Sequence, residues 1–202
     1  AFDSAGQRCS ALRVLCLQDE IADHTLKMLR GAMAECRMGN PGRLTTDIGP
    51  VIDSEAKANI ERHIQTMRSK GRPVFQAVRE NSEDAREWQS GTFVAPTLIE
   101  LDDFAELQKE VFGPVLHVVR YNRNQLPELI EQINASGYGL TLGVHTRIDE
   151  TIAQVTGSAH VGNLYVNRNM VGAVVGVQPF GGEGLSGTGP KAGGPLYLYR
   201  LL

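Results

Sequence analysis

The sequence has 202 residues, of which 42% are hydrophobic and 21% are charged. These fractions match soluble globular averages, so they exclude a disordered or fibrous chain, and the length suits one domain with a sizeable core. A net charge of -3 lacks the basic excess that nucleic acid or an anionic membrane surface requires. No apolar run reaches the roughly 18 residues of a membrane helix. We therefore expect a cytoplasmic protein with no transmembrane segment and no nucleic-acid partner.

The predicted elements begin with a strand and a helix. Residues 11–17 are mostly apolar, which predicts a buried strand. Asp19 then suits the N-cap of a helix that stops before Gly39 and Pro41. The apolar positions of this helix follow helical spacing: Ile21, Met28, Ala32 and Cys36.

Three further helices are predicted. The first runs from near Asp53 to Gly71, the second carries Leu126 and ends at Gly137, and the third covers residues 149–158. The apolar faces of the first two are Ala56, Ile60, Ile64 and Met67, and Leu126, Leu129, Ile130 and Ile133. Strands are predicted at residues 73–79, 115–121, 140–146 and 162–167, and an exposed loop at residues 81–91. This alternation predicts an α/β fold, a mainly parallel twisted sheet flanked by helices, and we expect residues 1–202 to form one domain.

The three cysteines differ in their predicted surroundings. Cys9 lies in a polar, glycine-containing segment before the first strand, whereas Cys16 lies inside that strand and Cys36 on a helix face. Arg8 or backbone N–H groups could favour a Cys9 thiolate, but the spacing leaves an inert buried cysteine equally open. The cysteines form no CxxC pair and the histidines are scattered, so we expect neither disulfides nor a metal site.

Four segments, in chain order, resemble motifs of the aldehyde dehydrogenase family. They are FDSAGQRCSALRV at residues 2–14, GNP with TDIGP at 39–41 and 46–50, EVFGPV at 110–115, and QPFGG with SGTG at 178–182 and 186–189. The resemblance implies the cysteine-bearing catalytic domain of that family. It also implies that Cys9 attacks an aldehyde and that the resulting oxyanion is held partly by the Cys9 backbone N–H.

The resemblance also implies NAD as the coenzyme. Glu110 matches the residue that binds the nicotinamide ribose hydroxyls, and Phe112 matches the residue that packs beside that ribose. The coenzyme-binding domain, the general-base glutamate and the oxyanion asparagine all precede the cysteine in the family. We expect them upstream of Ala1, in a longer polypeptide, and we expect this chain alone to show no turnover. Without the resemblance, Glu110 is predicted to be a surface carboxylate and Phe112 a core residue.

The substrate is narrowed by a resemblance to pyrroline-5-carboxylate dehydrogenases. Ser10, Gly172, Ala173 and Phe180 resemble the site that holds the carboxylate end of glutamate semialdehyde, with Arg8 as a secondary candidate. Backbone N–H groups and the Ser10 hydroxyl can donate to a carboxylate, while Phe180 covers the aliphatic middle. Ala173 lacks a hydroxyl that some relatives offer, so backbone donors would do the anchoring. The implied activity is NAD-dependent oxidation of this aldehyde, which has a distal carboxylate, to glutamate in proline catabolism.

Residues 166–169, 171–176 and 182–194 resemble the branch in which a flavin-dependent proline dehydrogenase precedes the aldehyde dehydrogenase on one chain. FAD is then expected only in that fused part, and a homo-oligomer is expected for the full-length protein. The string GEGLSG at residues 182–187 fits G-x-G-x-x-G, but Pro179 precedes it and no acidic residue follows Glu183. It is therefore not predicted to be a dinucleotide fingerprint.

Three alternatives stay open. One is a dehydrogenase for another semialdehyde, such as that of succinate. Another is a cysteine hydrolase or acyltransferase in which Cys9 pairs with His160 or His145. The last is a non-catalytic assembly module.

Overall fold

The computed structural model describes residues 1–77, 90–174, 176–187 and 189–202. The loop predicted at residues 81–91 and the end of the strand predicted at 73–79 lie largely outside these ranges. Two compact units make up the chain, Ala1–Arg123 and Asn124–Leu202. Short 3₁₀ segments accompany the main elements at Phe104–Glu106, Arg123–Gln125 and Tyr197–Arg200, whereas Asp3–Gly6 is a turn with positive φ at three of its residues.

A four-stranded sheet forms the centre of the first unit. Its strands are β1 (Val14–Gln18), β2 (Val74–Gln76), β3 (Thr97–Leu101) and β4 (Val115–Tyr121), in the order β1-β4-β3-β2. β4 pairs parallel with both β1 and β3, whereas β2 joins β3 antiparallel. Residues 115–119 are all buried, as expected for a central parallel strand covered on both faces. The predicted α/β fold with a mainly parallel sheet is confirmed.

Two helices cover the sheet of this unit, α1 (Asp19–Glu35) and α2 (Ser54–Ser69). Asp53 is the N-cap of α2, because its carboxylate accepts the Ala56 backbone N–H at 2.7 Å. The prediction that Asp19 caps α1 is wrong: Asp19 is the first helical residue, and Gln18 precedes it without a side-chain cap. Cys36 likewise follows α1 instead of lying on its face.

The buried side chains form two clusters, which place the helices on different apolar surfaces. Ile60, Ile64 and Met67 of α2 pack with Ile99, Val115 and Val119. Ala22, Leu26 and Met33 of α1 pack with Leu98 and Val118. Successive strand residues such as Leu98 and Ile99 enter different clusters, since side chains alternate across a strand. The sheet is therefore flanked by helices, as the sequence predicts.

The second unit contains α3 (Leu126–Ala135), β5 (Tyr138–Gly139), β6 (Thr141–Val144), α4 (Asp149–Ser158), β7 (Asn163–Val166) and β8 (Glu183–Gly184). β6 and β7 pair parallel, with α4 between them in sequence, which is a βαβ connection. β5 and β8 form a short antiparallel pair. The elements predicted at residues 140–146, 149–158 and 162–167 are confirmed. No helix among the described residues is long and apolar enough to cross a membrane.

Candidate active site

Cys9 lies at the tip of a β-turn that follows a left-handed segment of backbone. Ser4, Ala5 and Gly6 have φ values of 53°, 52° and 66°. Left-handed conformations cost an L-residue roughly 1–2 kcal/mol, and such outliers persist where surrounding structure enforces them. The turn is then closed by the Ala11 N–H, which donates to the Arg8 carbonyl at 3.1 Å, with Cys9 and Ser10 between them.

The three cysteines differ in exposure. Cys9 is more exposed than Cys16, as the sequence predicts from the polar segment around Cys9 and the strand that contains Cys16. Cys9 is exposed, while Cys16 and Cys36 are half-buried, and all three are free thiols. Burial raises the pKa of the Cys16 thiol to about 12, so Cys16 is protonated at neutral pH. Among the three, Cys9 alone combines exposure with a position on a turn outside any helix or strand.

The neighbours of Cys9 have distinct surroundings. The Arg8 side chain is exposed, and its Nε donates to the Ser4 hydroxyl at 3.0 Å. Ser10 is buried, with 4% of its surface exposed. Within the described residues, the Cys9 backbone N–H donates to no protein group. That N–H is therefore available to an oxygen placed beside the thiol.

Gln7 joins the turn to the segment that follows the second motif. Its side-chain oxygen accepts the Ile52 backbone N–H at 2.8 Å. Its side-chain nitrogen donates to the carbonyls of Pro50, at 3.4 Å, and Ser4, at 3.3 Å. The Gly-Gln pair of the first motif thus has a structural function, since Gln7 connects two parts of the unit 45 positions apart.

Gly6 brings the turn against the EVFGPV motif. A Cβ on Gly6 would lie 2.0 Å from the Gly113 carbonyl oxygen, and no side chain tolerates such a distance. The backbone also has positive φ at this position, which only glycine adopts without strain. Gly6 is therefore required for the close packing of the first motif on the third.

Arg13 makes the second link between the same two motifs. Its Nε donates to Glu110 Oε1 at 2.9 Å, and its guanidinium lies 4.6 Å from the centre of the Phe112 ring. Its remaining nitrogens donate to the carbonyls of Gly6, at 2.6 Å, and Arg8, at 3.1 Å. The Cys9 turn and the pair Glu110 and Phe112 are therefore held by one side chain. Arg13 is absent from the residues predicted from sequence, although it lies four positions after Cys9.

Glu110 and Phe112 both reach the surface of the first unit. The Glu110 side chain is 41% exposed and Phe112 is 45% exposed, so both can meet a ligand. The core position predicted for Phe112 without the resemblance is therefore wrong, and the surface position predicted for Glu110 is confirmed. A carboxylate can accept hydrogen bonds from the hydroxyls of a ligand, and an exposed ring offers it an apolar surface.

Gly172, Ala173 and Phe180 lie in the second unit. Gly172 is exposed and has a φ of 83°, and Ala173 is half-buried. Phe180 is held in an antiparallel bridge with Ala192, with both backbone hydrogen bonds at 2.9 Å. The backbone of this loop therefore follows turns and bridges, as its glycine content predicts.

The string GEGLSG forms β8 and a turn, in which the Ser186 N–H donates to the Glu183 carbonyl at 3.0 Å. No helix opens at residues 182–187, so the G-x-G-x-x-G match is not a dinucleotide fingerprint, as predicted. Elsewhere, no group of three or more His, Cys, Asp or Glu residues in the described ranges could hold a metal ion.

The chain belongs to the aldehyde dehydrogenase family, whose model matches residues 1–201. Over its whole length it is 94% identical to bifunctional protein PutA of Salmonella typhimurium, of which it covers 15%. A crystal structure of a variant of Bradyrhizobium japonicum proline utilization A matches with a TM-score of 0.90 at 51% identity, over 99% of this chain and 20% of that one. The 1-pyrroline-5-carboxylate dehydrogenase from Thermus with bound NAD matches with a TM-score of 0.83 at 36% identity, over 97% and 36%. The chain thus spans a minor part of each of these relatives.

Proposed function

We propose that this chain supplies the nucleophile and the coenzyme-ribose contacts of an NAD-dependent dehydrogenase that oxidises glutamate semialdehyde to glutamate in proline catabolism. The observation that carries the proposal is the joining of the exposed Cys9 turn to Glu110 and Phe112 through Arg13. The names of the relatives support the substrate, because they include a 1-pyrroline-5-carboxylate dehydrogenase and proline utilization A.

The chemistry follows from the position of Cys9. Its thiolate adds to the aldehyde carbon and forms a thiohemiacetal, whose oxyanion accepts the Cys9 backbone N–H. When bound, NAD supplies the acceptor for the hydride that leaves this carbon. The carbon is then a thioester of Cys9, which water hydrolyses to the carboxylic acid, and the thiol is regenerated.

In this proposal Glu110 accepts from the hydroxyls of the coenzyme ribose and Phe112 packs beside it. Ser10, Gly172, Ala173 and Phe180 are proposed to bind the substrate, on the strength of the resemblance to pyrroline-5-carboxylate dehydrogenases. Arg8 stays a secondary candidate, because its Nε is engaged by Ser4.

The test is an assay of the natural full-length protein that carries this chain. Glutamate semialdehyde, in equilibrium with pyrroline-5-carboxylate, and succinate semialdehyde are compared as substrates, with NAD and then NADP. We expect the highest kcat/KM for glutamate semialdehyde with NAD. Cys9→Ser should abolish turnover, whereas Cys16→Ser is the matched control and should retain it. Equal turnover by Cys9→Ser would overturn the assignment of the nucleophile, and a preference for succinate semialdehyde would overturn that of the substrate.

We further propose that the full-length protein is a cytoplasmic homo-oligomer with a fused, FAD-containing proline dehydrogenase. Support comes from the word bifunctional in the name of the Salmonella relative and from the small share of it that this chain covers. Flavin absorbance in the purified protein and proline-dependent reduction of a dye would test the fusion. Sedimentation analysis would test the oligomer. A colourless monomer would contradict both.

A further inference from the structure

The side chain of Arg13 is 15% exposed, and each of its three guanidinium nitrogens has its own acceptor. Nε donates to Glu110, one terminal nitrogen donates to the Gly6 carbonyl, and the other donates to the Arg8 carbonyl. The Gly6 and Arg8 carbonyls flank the segment that leads into Cys9. The Glu110 carboxylate lies 97 positions away along the chain. The Arg13 guanidinium thus contacts both the Cys9 turn and the EVFGPV motif.

We propose that Arg13 is a positioning residue that holds the Cys9 turn in register with Glu110 and Phe112, and so aligns the thiol with the coenzyme ribose. This rests on the proposed function, since it assigns Arg13 a part in the same reaction. Arg13 is assigned no contact with substrate or reacting atoms. It acts through Glu110 and through the backbone of the turn.

The geometry requires arginine and not merely a positive charge. A guanidinium presents five N–H donors in a rigid plane, so it can serve acceptors that lie in different directions. A lysine has one nitrogen on a flexible stem and would keep the charge next to Glu110 without spanning the two carbonyls. The planar group also lies 4.6 Å from the centre of the Phe112 ring, which suits cation–π contact.

Loss of Arg13 should loosen the turn without unfolding the unit. The hydrogen bond from the Ala11 N–H to the Arg8 carbonyl remains, and so does the close packing of Gly6 on Gly113. What is lost is the donor to Gly6, the second donor to Arg8, and the partner that orients Glu110. The expected defect is therefore local to residues 6–12 and to the coenzyme contact.

The test compares Arg13→Gln and Arg13→Lys with Arg72→Gln in the natural full-length protein. Arg72 is the matched control, because it is a part-buried arginine of the same unit that pairs with Asp102 and Glu106. The readout that needs no turnover is amide hydrogen exchange of the peptide covering residues 6–12. We expect faster exchange there in both Arg13 variants and unchanged exchange in Arg72→Gln.

The kinetic readout separates KM from kcat. We expect Arg13→Gln to raise the KM for NAD and to lower kcat, each about tenfold, as for the loss of one hydrogen bond to a charged group. The KM for the aldehyde should stay within about twofold. Arg13→Lys keeps the charge, so its KM for NAD should lie closer to the wild-type value than that of Arg13→Gln. Its hydrogen exchange at residues 6–12 should stay nearly as fast as in Arg13→Gln. Arg72→Gln should leave all three constants within about twofold.

A double-variant cycle with Glu110→Gln tests the route of the effect. If Arg13 acts on the coenzyme through Glu110, the two substitutions together raise the KM for NAD by less than the product of their separate effects. Multiplicative effects would overturn this route. Arg13 variants that match Arg72→Gln in exchange and in kinetics would overturn the proposal altogether. If the wild-type protein fails to oxidise glutamate semialdehyde, the proposed function fails, while exchange and NAD binding still decide the role of Arg13.

Discussion

The Nε2 atoms of His63 and His117 lie 2.8 Å apart, and Nδ1 of His117 lies 3.2 Å from the Arg13 carbonyl oxygen. A carbonyl only accepts, so Nδ1 of His117 carries the proton that is donated to Arg13. Nε2 of His117 must then accept from the Nε2–H of His63. Both rings are neutral at pH 7, because burial lowers the pKa of each, and their chain of hydrogen bonds ends on the residue that orients the Cys9 turn.

This histidine pair predicts that acid destabilises the chain. Burial and, after it, the neighbouring His63 lower the pKa of His117 to about 4, although the hydrogen bond to the Arg13 carbonyl raises it. Burial together with Lys109 and Lys70 lowers the pKa of His63. In the unfolded chain these groups titrate near 6.5, so between pH 6.5 and 4 the unfolded state binds more protons. The stabilisation is present above pH 6.5 and is lost as pH falls, on the order of 3 kcal/mol for His117.

Urea unfolding of the chain at pH 7.0 and pH 5.0 measures this effect. We expect the free energy of unfolding to be lower at pH 5.0, and the difference to shrink in His117→Asn. Nuclear magnetic resonance titration of the ring protons gives the two pKa values directly. An unshifted His117, or an equal pH dependence in His117→Asn, would contradict the prediction.

Gly6→Ala should destabilise the first unit by about 2–4 kcal/mol, since it combines a left-handed backbone with a clash against the Gly113 carbonyl. Gly31→Ala is the matched control. Gly31 lies within α1 with nothing within 4 Å of an added Cβ, so alanine should stabilise the chain by roughly 0.5–1 kcal/mol. In urea unfolding, the change in the free energy of unfolding should have opposite signs in the two variants. The same sign for both would refute the steric argument.

Cys9 should react with iodoacetamide at neutral pH while Cys16 stays unmodified. Cys9 is exposed on a turn, whereas the half-buried Cys16 has a pKa raised to about 12 and carries almost no thiolate. Mass spectrometry of digested protein, sampled over time, gives the rate at each cysteine. Cys9→Ser should remove the fast phase. Labelling of Cys16 as rapid as that of Cys9 would show that its burial is not maintained in solution.

Asp53→Ala should cost about 1 kcal/mol, because it removes the acceptor of the Ala56 N–H at the start of α2. Asp19→Ala is the control at the start of α1, where the carboxylate makes no cap. Its interaction with the helix dipole should contribute only about 0.3 kcal/mol. Thermal and urea unfolding measure the loss of stability in each of the two variants. Equal losses would mean that the Asp53 cap is not formed in solution.

Much of the fold is predictable from local sequence signals. α2 follows from its cap and from Ile60, Ile64 and Met67 at helical spacing, and β4 and α4 are predicted with their observed bounds. β3 is not predicted from the sequence, because Thr97–Leu101 does not alternate apolar and polar residues as a half-buried strand does. Its place in the sheet is set by partners, since β4 and β2 bond its two edges.

The site was predicted less completely than the fold. Cys9, Glu110 and Phe112 are candidates through family motifs, but nothing local shows that Arg13 joins them. The contact between Arg13 and Glu110 exists only because β1 and β4 pair side by side, and a propensity or a spacing rule does not reach 97 positions. The exposure of Phe112 is likewise a tertiary property, since an aromatic residue beside a buried strand predicts core.

The parallel pairing of β1 with β4 also has a consequence for synthesis. Residues 1–18 leave the ribosome long before residues 115–121, and β1 gains its sheet partner only when β4 has emerged. Pairing of segments this far apart is slow, because a long loop must close before the contacts form. Until then Gly6 has no Gly113 to pack on and Arg13 has no Glu110. The Cys9 turn therefore acquires its contacts with the EVFGPV motif only after residues 110–121 have been synthesised.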